Sequence, residues 1–282
     1  MKPALFTYHR PSTVADAVAT LAEVGADGKV LAGGQSLVPL LSMRLAAPEH
    51  IVDIGALPAL DGVDVTPHEV RVGALVRHTD LEQHAGAYEV LPLLRQALTY
   101  VAHPTIRNRG TVVGSLCHAD SAAELPAVLA LLDGHLVATS TRGERQVSAA
   151  ELYLGPLQTS LHDDELVTAA VFPVPTSRVG TAVVEVARRN GDYAVCGVVA
   201  MVRRGADGDI ERARAAYVSV TAVPRVLDLT AVAAGGDWSA AGEHAKEQLA
   251  CSGDIHASAE YRRHLVGVLT GKALAEAGEA AG

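Results

Sequence analysis

Two glycine-bearing segments are the residues of this chain best suited to chemistry, and both are built to present backbone amides. Ala32-Gly33-Gly34-Gln35-Ser36 follows the apolar run Lys29-Val30-Leu31-Ala32 and precedes a helical pattern from Leu37 to Leu45. Where a strand turns into a helix through glycines, several N–H groups can converge on an anion because no Cβ crowds the approach. The Ser36 hydroxyl adds one donor. The bland alternative is a plain tight turn, which uses the same two glycines. No Gly-Lys-Ser/Thr follows and the spacing is not G-x-G-x-x-G, so neither a Walker A loop nor a Rossmann fingerprint is present.

The second segment, Thr111-Val112-Val113-Gly114-Ser115, repeats the ingredients: a glycine for close approach, flanked by hydroxyls. Two such bends can hold two phosphates, so the residues point to a diphosphate-like ligand without saying which one. Arg107 and Arg109 stand beside the second bend. Arginines next to a loop more often pair with carboxylates or lie on a subunit surface than hold phosphate.

Other constellations carry less. His118 and Asp120 lack a third ligand at sensible spacing, which argues against a metal. No G-x-S-x-G elbow accompanies Ser36 or Ser115, which argues against a hydrolase triad. Cys117 and Cys196 fall in apolar runs and read as small core residues, and with Cys251 they form no C-x-x-C pair. Taken by itself, Tyr193 is a half-buried structural tyrosine.

The elements that must position these bends follow from periodicity. Thr13 and Asp16 open a first helix that Gly25 ends, with Val14, Ala17, Val18 and Leu21 at helical spacing. Ile51 to Ile54 and Glu69 to Gly73 read as strands, and Tyr88 to Ala102 as one helix. His103 to Ser115 mixes Pro, Gly and charge, and suits a tightly held irregular loop. A helix over Glu124 to Leu132, a hairpin around Arg142-Gly143-Glu144 and a strand over Leu166 to Phe172 follow. Beyond the linker Phe172 to Ser177, Thr181 to Ala187, Val195 to Arg203 and Arg212 to Thr221 read as an antiparallel sheet. Asp207-Gly208 turns between its last two strands, and helices over Ala240 to Leu249 and Ser258 to Ala275 finish the chain. The expected class is α+β, divided into 1–175, with subdomains of about 1–55 and 56–175, and 176–282.

A chain of 282 residues exceeds what one ordinary core needs, and 49% hydrophobic against 20% charged residues is a folded balance. The formal net charge of −9, with no basic aromatic stripe, disfavours nucleic acid. Nowhere do eighteen consecutive apolar residues or a signal-type leader occur, so no membrane span and a cytoplasmic location are expected.

The order and spacing of several segments resemble the FAD-binding medium subunit of molybdenum hydroxylases, the carbon monoxide dehydrogenase and xanthine dehydrogenase family. These segments are Ala32 to Leu37, Thr105 to Leu116, His118-Ala119-Asp120 with Glu124-Leu125-Pro126, Ala187 to Ala194, and Asp254 to Arg262. The resemblance spans nearly the whole chain. It implies an FAD-binding fold of the vanillyl-alcohol oxidase and p-cresol methylhydroxylase type, followed by a sheet-and-helix domain. It implies that Ala32, Gly33, Gly34, Gln35 and Ser36, with Thr111, Val112, Val113, Gly114 and Ser115, bind the FAD pyrophosphate. It further implies flavin contacts from Asp120 and Glu124, and Tyr193 against the isoalloxazine. The family pattern Thr-Ile-Gly-Gly-Asn is replaced here at Val113 and Ser115; a Val113 side chain could crowd the phosphate, and in an extended conformation it need not block it. Implied partners are a large molybdenum-cofactor subunit, a small iron-sulfur subunit and an external electron acceptor, with no catalytic side chain required from this chain. A stand-alone FAD oxidoreductase and a scaffold subunit that has lost flavin are the competing readings.

Overall fold

A computed structural model describes residues 2–177 and 179–282. The first helix, Val14–Val24, forms where its sequence asks for it. The Asp16 N–H donates to Thr13 Oγ1 at 3.0 Å, Ala17, Val18 and Leu21 face inward, and Gly25 stops the helix at a φ of +52°. It covers a small parallel sheet in the order Thr7–His9, His50–Asp53, Gly28–Leu31. The edge strand Thr7–His9 lies outside the sequence reading.

Residues 63–173 build a second, antiparallel sheet in the order Val63–Val65, Glu69–Gly73, Leu166–Pro173, His135–Ser140, Gly143–Ser148. Its apolar layer is closed by short helices. The single helix expected over 88–102 is instead two, Ala85–Val90 and Pro92–Leu98, because Pro92 has no N–H to continue a helix through Leu91. The irregular loop expected over 103–115 is also replaced by helices, Pro104–Arg107 and Val112–His118. Thr111 makes the second of these possible: the Gly114 N–H donates to its Oγ1 at 3.1 Å. A Cβ on Gly114 would lie 2.5 Å from that oxygen, so the cap requires glycine there.

The third sheet runs Val179–Ala187, Ala194–Arg204, Ile210–Val218, Arg225–Asp228, all antiparallel. Strand alternation gives it two apolar faces. Ala182, Val184, Val198, Ala200 and Tyr217 pack under the helices Trp238–Gln248 and Ala259–Ala280, while Val183, Val199, Ala216 and Val218 join the core of the preceding residues. The helix Glu124–Leu131, buried on nearly every side, packs against that second face. The final helix runs past the expected Ala275 to Ala280 because Ala277 is still fully buried.

Candidate functional site

The two glycine bends touch. A Cβ placed on Gly33 would lie 2.4 Å from the Arg109 carbonyl oxygen, 2.8 Å from Gly110 Cα and 3.0 Å from the Thr111 nitrogen. Only a residue without a side chain allows that approach. Gly34 follows at a φ of +73°, the left-handed region, and turns the chain into the helix Leu37–Met43. Among the described residues, the amides of Gly33, Gly34, Gln35 and Ser36 donate to no backbone acceptor. Gln35 Nε2 donates back to Gly33 O at 3.2 Å, which stiffens the bend and leaves those amides free.

The second bend is pinned from behind. The His78 N–H donates to Gly110 O and the Val112 N–H to Val76 O, both at 3.1 Å, while the Arg77 guanidinium donates to Arg109 O. His78 itself is 4% exposed with neither ring nitrogen hydrogen-bonded. Burial pulls its pKa down to about 4, opposed by the nearby Thr111 backbone, which stays outside hydrogen-bond geometry. The ring is therefore a neutral wedge behind Gly110. Val112 and Val113 are buried in the core, so the Val113 side chain lies inside the fold instead of crowding the open surface of the bend. Arg107 bonds Glu82 and the carbonyls of Val101 and Ala102, and so serves structure.

The helix Val112–His118, about 10 Å long at its seven residues, leads from this bend to a group of acids. Asp120 Oδ1 accepts from the Ala122 N–H at 2.9 Å. Glu124, 6% exposed, has its carboxyl pushed up to about 7 by burial, with the charge of Asp120 adding to the shift. Tyr193 stands exposed on the turn before Ala194–Arg204. Desolvation, then Asp120 and Glu124, raise its hydroxyl, which places these three groups within electrostatic reach of one another. Desolvation likewise pushes the thiols of Cys117 and Cys196 up to about 12, so neither is a nucleophile at neutral pH.

One residue of this neighbourhood escaped the sequence reading. Glu185 lies in Val179–Ala187, its Oε2 is buried without a partner, and burial and then Glu124 push its carboxyl up to about 8. Its only signal was a lone acid in an otherwise apolar strand. Both carboxyls hold their protons longer when folded than the ordinary value of 4.5. As pH rises from about 5 to about 8 the unfolded chain releases those protons first, so stability falls across that window. Thermal melts of Glu185→Gln should lose less stability between those pH values than the parent chain, and identical losses would contradict the assignment.

Comparison with known proteins shows the family. Residues 4–175 match the FAD binding domain in molybdopterin dehydrogenase, and residues 181–277 the CO dehydrogenase flavoprotein C-terminal domain. The chain is 39% identical to caffeine dehydrogenase subunit beta of a Pseudomonas species, over 99% of this chain and 97% of that one. It is 35% identical to the carbon monoxide dehydrogenase medium chain of Hydrogenophaga pseudoflava, over 72% and 71% of the two chains. Quinoline 2-oxidoreductase from Pseudomonas putida 86 superposes with a TM-score of 0.94 at 32% identity, covering 100% of this chain and 99% of that one. With its mixed α/β architecture, its two contacting glycine bends and both family matches, the chain belongs to the FAD-binding medium subunits of the molybdenum hydroxylases, oxidoreductase subunits whose cofactor is FAD.

Proposed function

We propose that this chain holds the FAD diphosphate between its two glycine bends and passes electrons from the iron-sulfur clusters of a partner subunit to an external acceptor such as a quinone, NAD or oxygen. The observation that carries this reading is the approach of Gly33 to Arg109-Gly110-Thr111, beside amides that have no backbone acceptor. The residues fit the group: unpaired N–H donors suit a diphosphate, and a cradle that a single Cβ would fill suits close backbone contact. When bound, FAD supplies the exchange between one-electron donors and a two-electron acceptor. The chain supplies binding and orientation. Gly33 to Ser36 grip the phosphates with their amides. In Thr111 to Ser115 the Thr111 and Val113 amides do so, the Val112, Gly114 and Ser115 N–H groups being bonded to Val76 O, Thr111 Oγ1 and Thr111 O. Asp120 and Glu124 offer carboxyl groups toward the flavin, and Tyr193 covers it.

On the same reading, residues 1–175 form a flavin domain of the vanillyl-alcohol oxidase type with subdomains at about 1–55 and 56–175, and 176–282 form a separate domain. The partners are a large molybdenum-cofactor subunit and a small iron-sulfur subunit, and the complex is cytoplasmic. No helix among the described residues is long and apolar enough to cross a membrane. Affinity purification of the tagged chain from its native host tests the proposal. Flavin absorption and co-purifying molybdenum and iron are expected. A colourless chain that FAD fails to reconstitute supports a scaffold, and active flavoprotein without partners supports a stand-alone enzyme.

Tyr193 gives a finer test. Because Tyr193 is 71% exposed and its side chain makes no hydrogen bond among the described residues, removing the ring should cost little stability. Tyr193→Ala is expected to change flavin fluorescence or the electron-transfer rate several-fold while FAD affinity shifts by less than about 1 kcal/mol. Unchanged fluorescence and rates would return Tyr193 to a surface residue.

A further inference from the structure

We propose that the cleft between the helices His78–Gln83, Pro92–Leu98 and Pro104–Arg107 binds a small organic carboxylate, with the Arg95 guanidinium as its principal donor. The cleft shares no residue with the two glycine bends, and neither its walls nor its ligand depends on the FAD reading.

The cleft holds about 520 Å³, the size of sites that take small organic molecules, and its walls include Thr79, Glu82, Arg95, Thr99, Arg107 and Asn108. These walls are tied together before any ligand arrives. Arg95 Nε donates to Glu82 O at 2.6 Å, and the guanidinium carbon lies 3.8 Å from the centre of the Tyr88 ring, over its face. One edge and one face of that guanidinium are thereby fixed. Its two terminal nitrogens, among the described residues, donate to no protein acceptor. Arg107 is held in the same manner: Nε donates to Glu82 Oε2 at 3.0 Å and Nη1 to the Val101 and Ala102 carbonyls, which leaves Nη2 as a donor. The Thr79 hydroxyl is engaged with Asn108 Oδ1 at 2.8 Å and the Thr99 hydroxyl with Gln96 O at 2.7 Å, so the Asn108 amide nitrogen is the next free donor.

Charge and shape select the ligand. Two guanidinium groups stand in the walls against one carboxylate, Glu82, and that carboxylate is already paired with Arg107. One positive charge is left over. A monoanion balances it, whereas a phosphate dianion adds a second negative charge beside Glu82. The free edge of a planar guanidinium, with two parallel N–H donors, matches the two oxygens of a carboxylate and holds both at once. Because Arg95 is stacked and bonded from behind, little of the rotamer freedom that a surface arginine loses on binding remains to be lost.

Benzoate titrated into the purified chain, followed by side-chain N–H resonances, tests the site. Arg95 Nε and Asn108 Nδ2 should shift along saturable curves. Arg95→Gln, which lacks the fork, should weaken binding about tenfold or more with circular dichroism unchanged. Arg95→Lys, which keeps the charge without the fork, should recover only part of it. Inorganic phosphate at about pH 8, where the dianion dominates, should bind more weakly than benzoate. Shifts that never saturate, affinity unchanged in Arg95→Gln, or phosphate binding as tightly as benzoate overturns the proposal. If Arg95→Gln does not fold, the wild-type resonances decide: benzoate that shifts other side chains and leaves Arg95 and Asn108 in place overturns it equally. The titration contains no flavin, so a failure of the FAD reading leaves its outcome intact.

Discussion

Replacing Gly33 with alanine should strip FAD from this chain while leaving its secondary structure in place. The new methyl would meet the Arg109 carbonyl oxygen at 2.4 Å and Gly110 Cα at 2.8 Å, both backbone atoms that have no rotamer to escape into. The second bend is held from behind by Val76, Arg77 and His78, so the first bend has to retreat, and the two sets of amides no longer address one diphosphate. Overpacking of this kind costs about 1–3 kcal/mol, which at its upper end is a loss of about 100-fold in affinity. Fluorescence titration with FAD, alongside circular dichroism to monitor folding, measures both effects. Gly34→Ala is the natural comparison. It pays left-handed strain of about 1 kcal/mol and meets only the ends of Val38 and Leu31, so its defect should be smaller.

The largest effect on stability should come from Arg262, far from the glycine bends. Its side chain is 3% exposed and its guanidinium closes three connections: to Val195 O at 3.0 Å, to Ser252 O at 2.8 Å and to Asp254 Oδ2 at 2.7 Å. That ion pair, with backbone N–H donors from His256 and Ala257, holds the Asp254 carboxyl down to about 2. Arg262→Ala leaves two carbonyls without their donor and opens a cavity under the third sheet, a loss of about 3 kcal/mol. Arg262→Lys should recover part of it, since one ammonium reaches fewer of the three acceptors. Because Val195 follows the turn that carries Tyr193, the alanine variant should also disturb flavin fluorescence. Urea denaturation checks the first expectation, and a midpoint unchanged in Arg262→Ala would contradict it.

Several elements could be read from residue order because their signals are local. Thr13 caps Asp16 within three residues, the hairpin at Gly143 needs only its own strands, and Asp207-Gly208 turns where expected, with Gly208 at a φ of +87°. Val112–His118 was hidden because two β-branched residues and a glycine are poor helix formers, and the Thr111 cap that offsets them also suits a loop. Pro92 was the visible warning against one long helix over 88–102. The edge strand Thr7–His9, three residues long, has too little pattern to detect.

The site divides along the same line. Its two bends are recognisable from glycine and hydroxyl content alone, whereas their contact joins residues more than seventy positions apart and follows only from the fold. Glu185 belongs to the second kind: its burial depends on the bare surface of Gly197 one strand away and on a helix arriving from the other half of the chain. Val113 shows the converse. A residue that departs from the family pattern drew attention as an obstacle, while helix geometry turns its side chain into the core.

The central claim is that both bends address one diphosphate, and amide chemical shifts report on it directly. In a uniformly labelled chain, FAD should move the N–H resonances of Gly33 and Gly34 together with those of Thr111 and Val113, and riboflavin, which has no diphosphate, should leave all four in place. If FAD moves only one bend, or if riboflavin moves both as far as FAD does, the shared grip is contradicted.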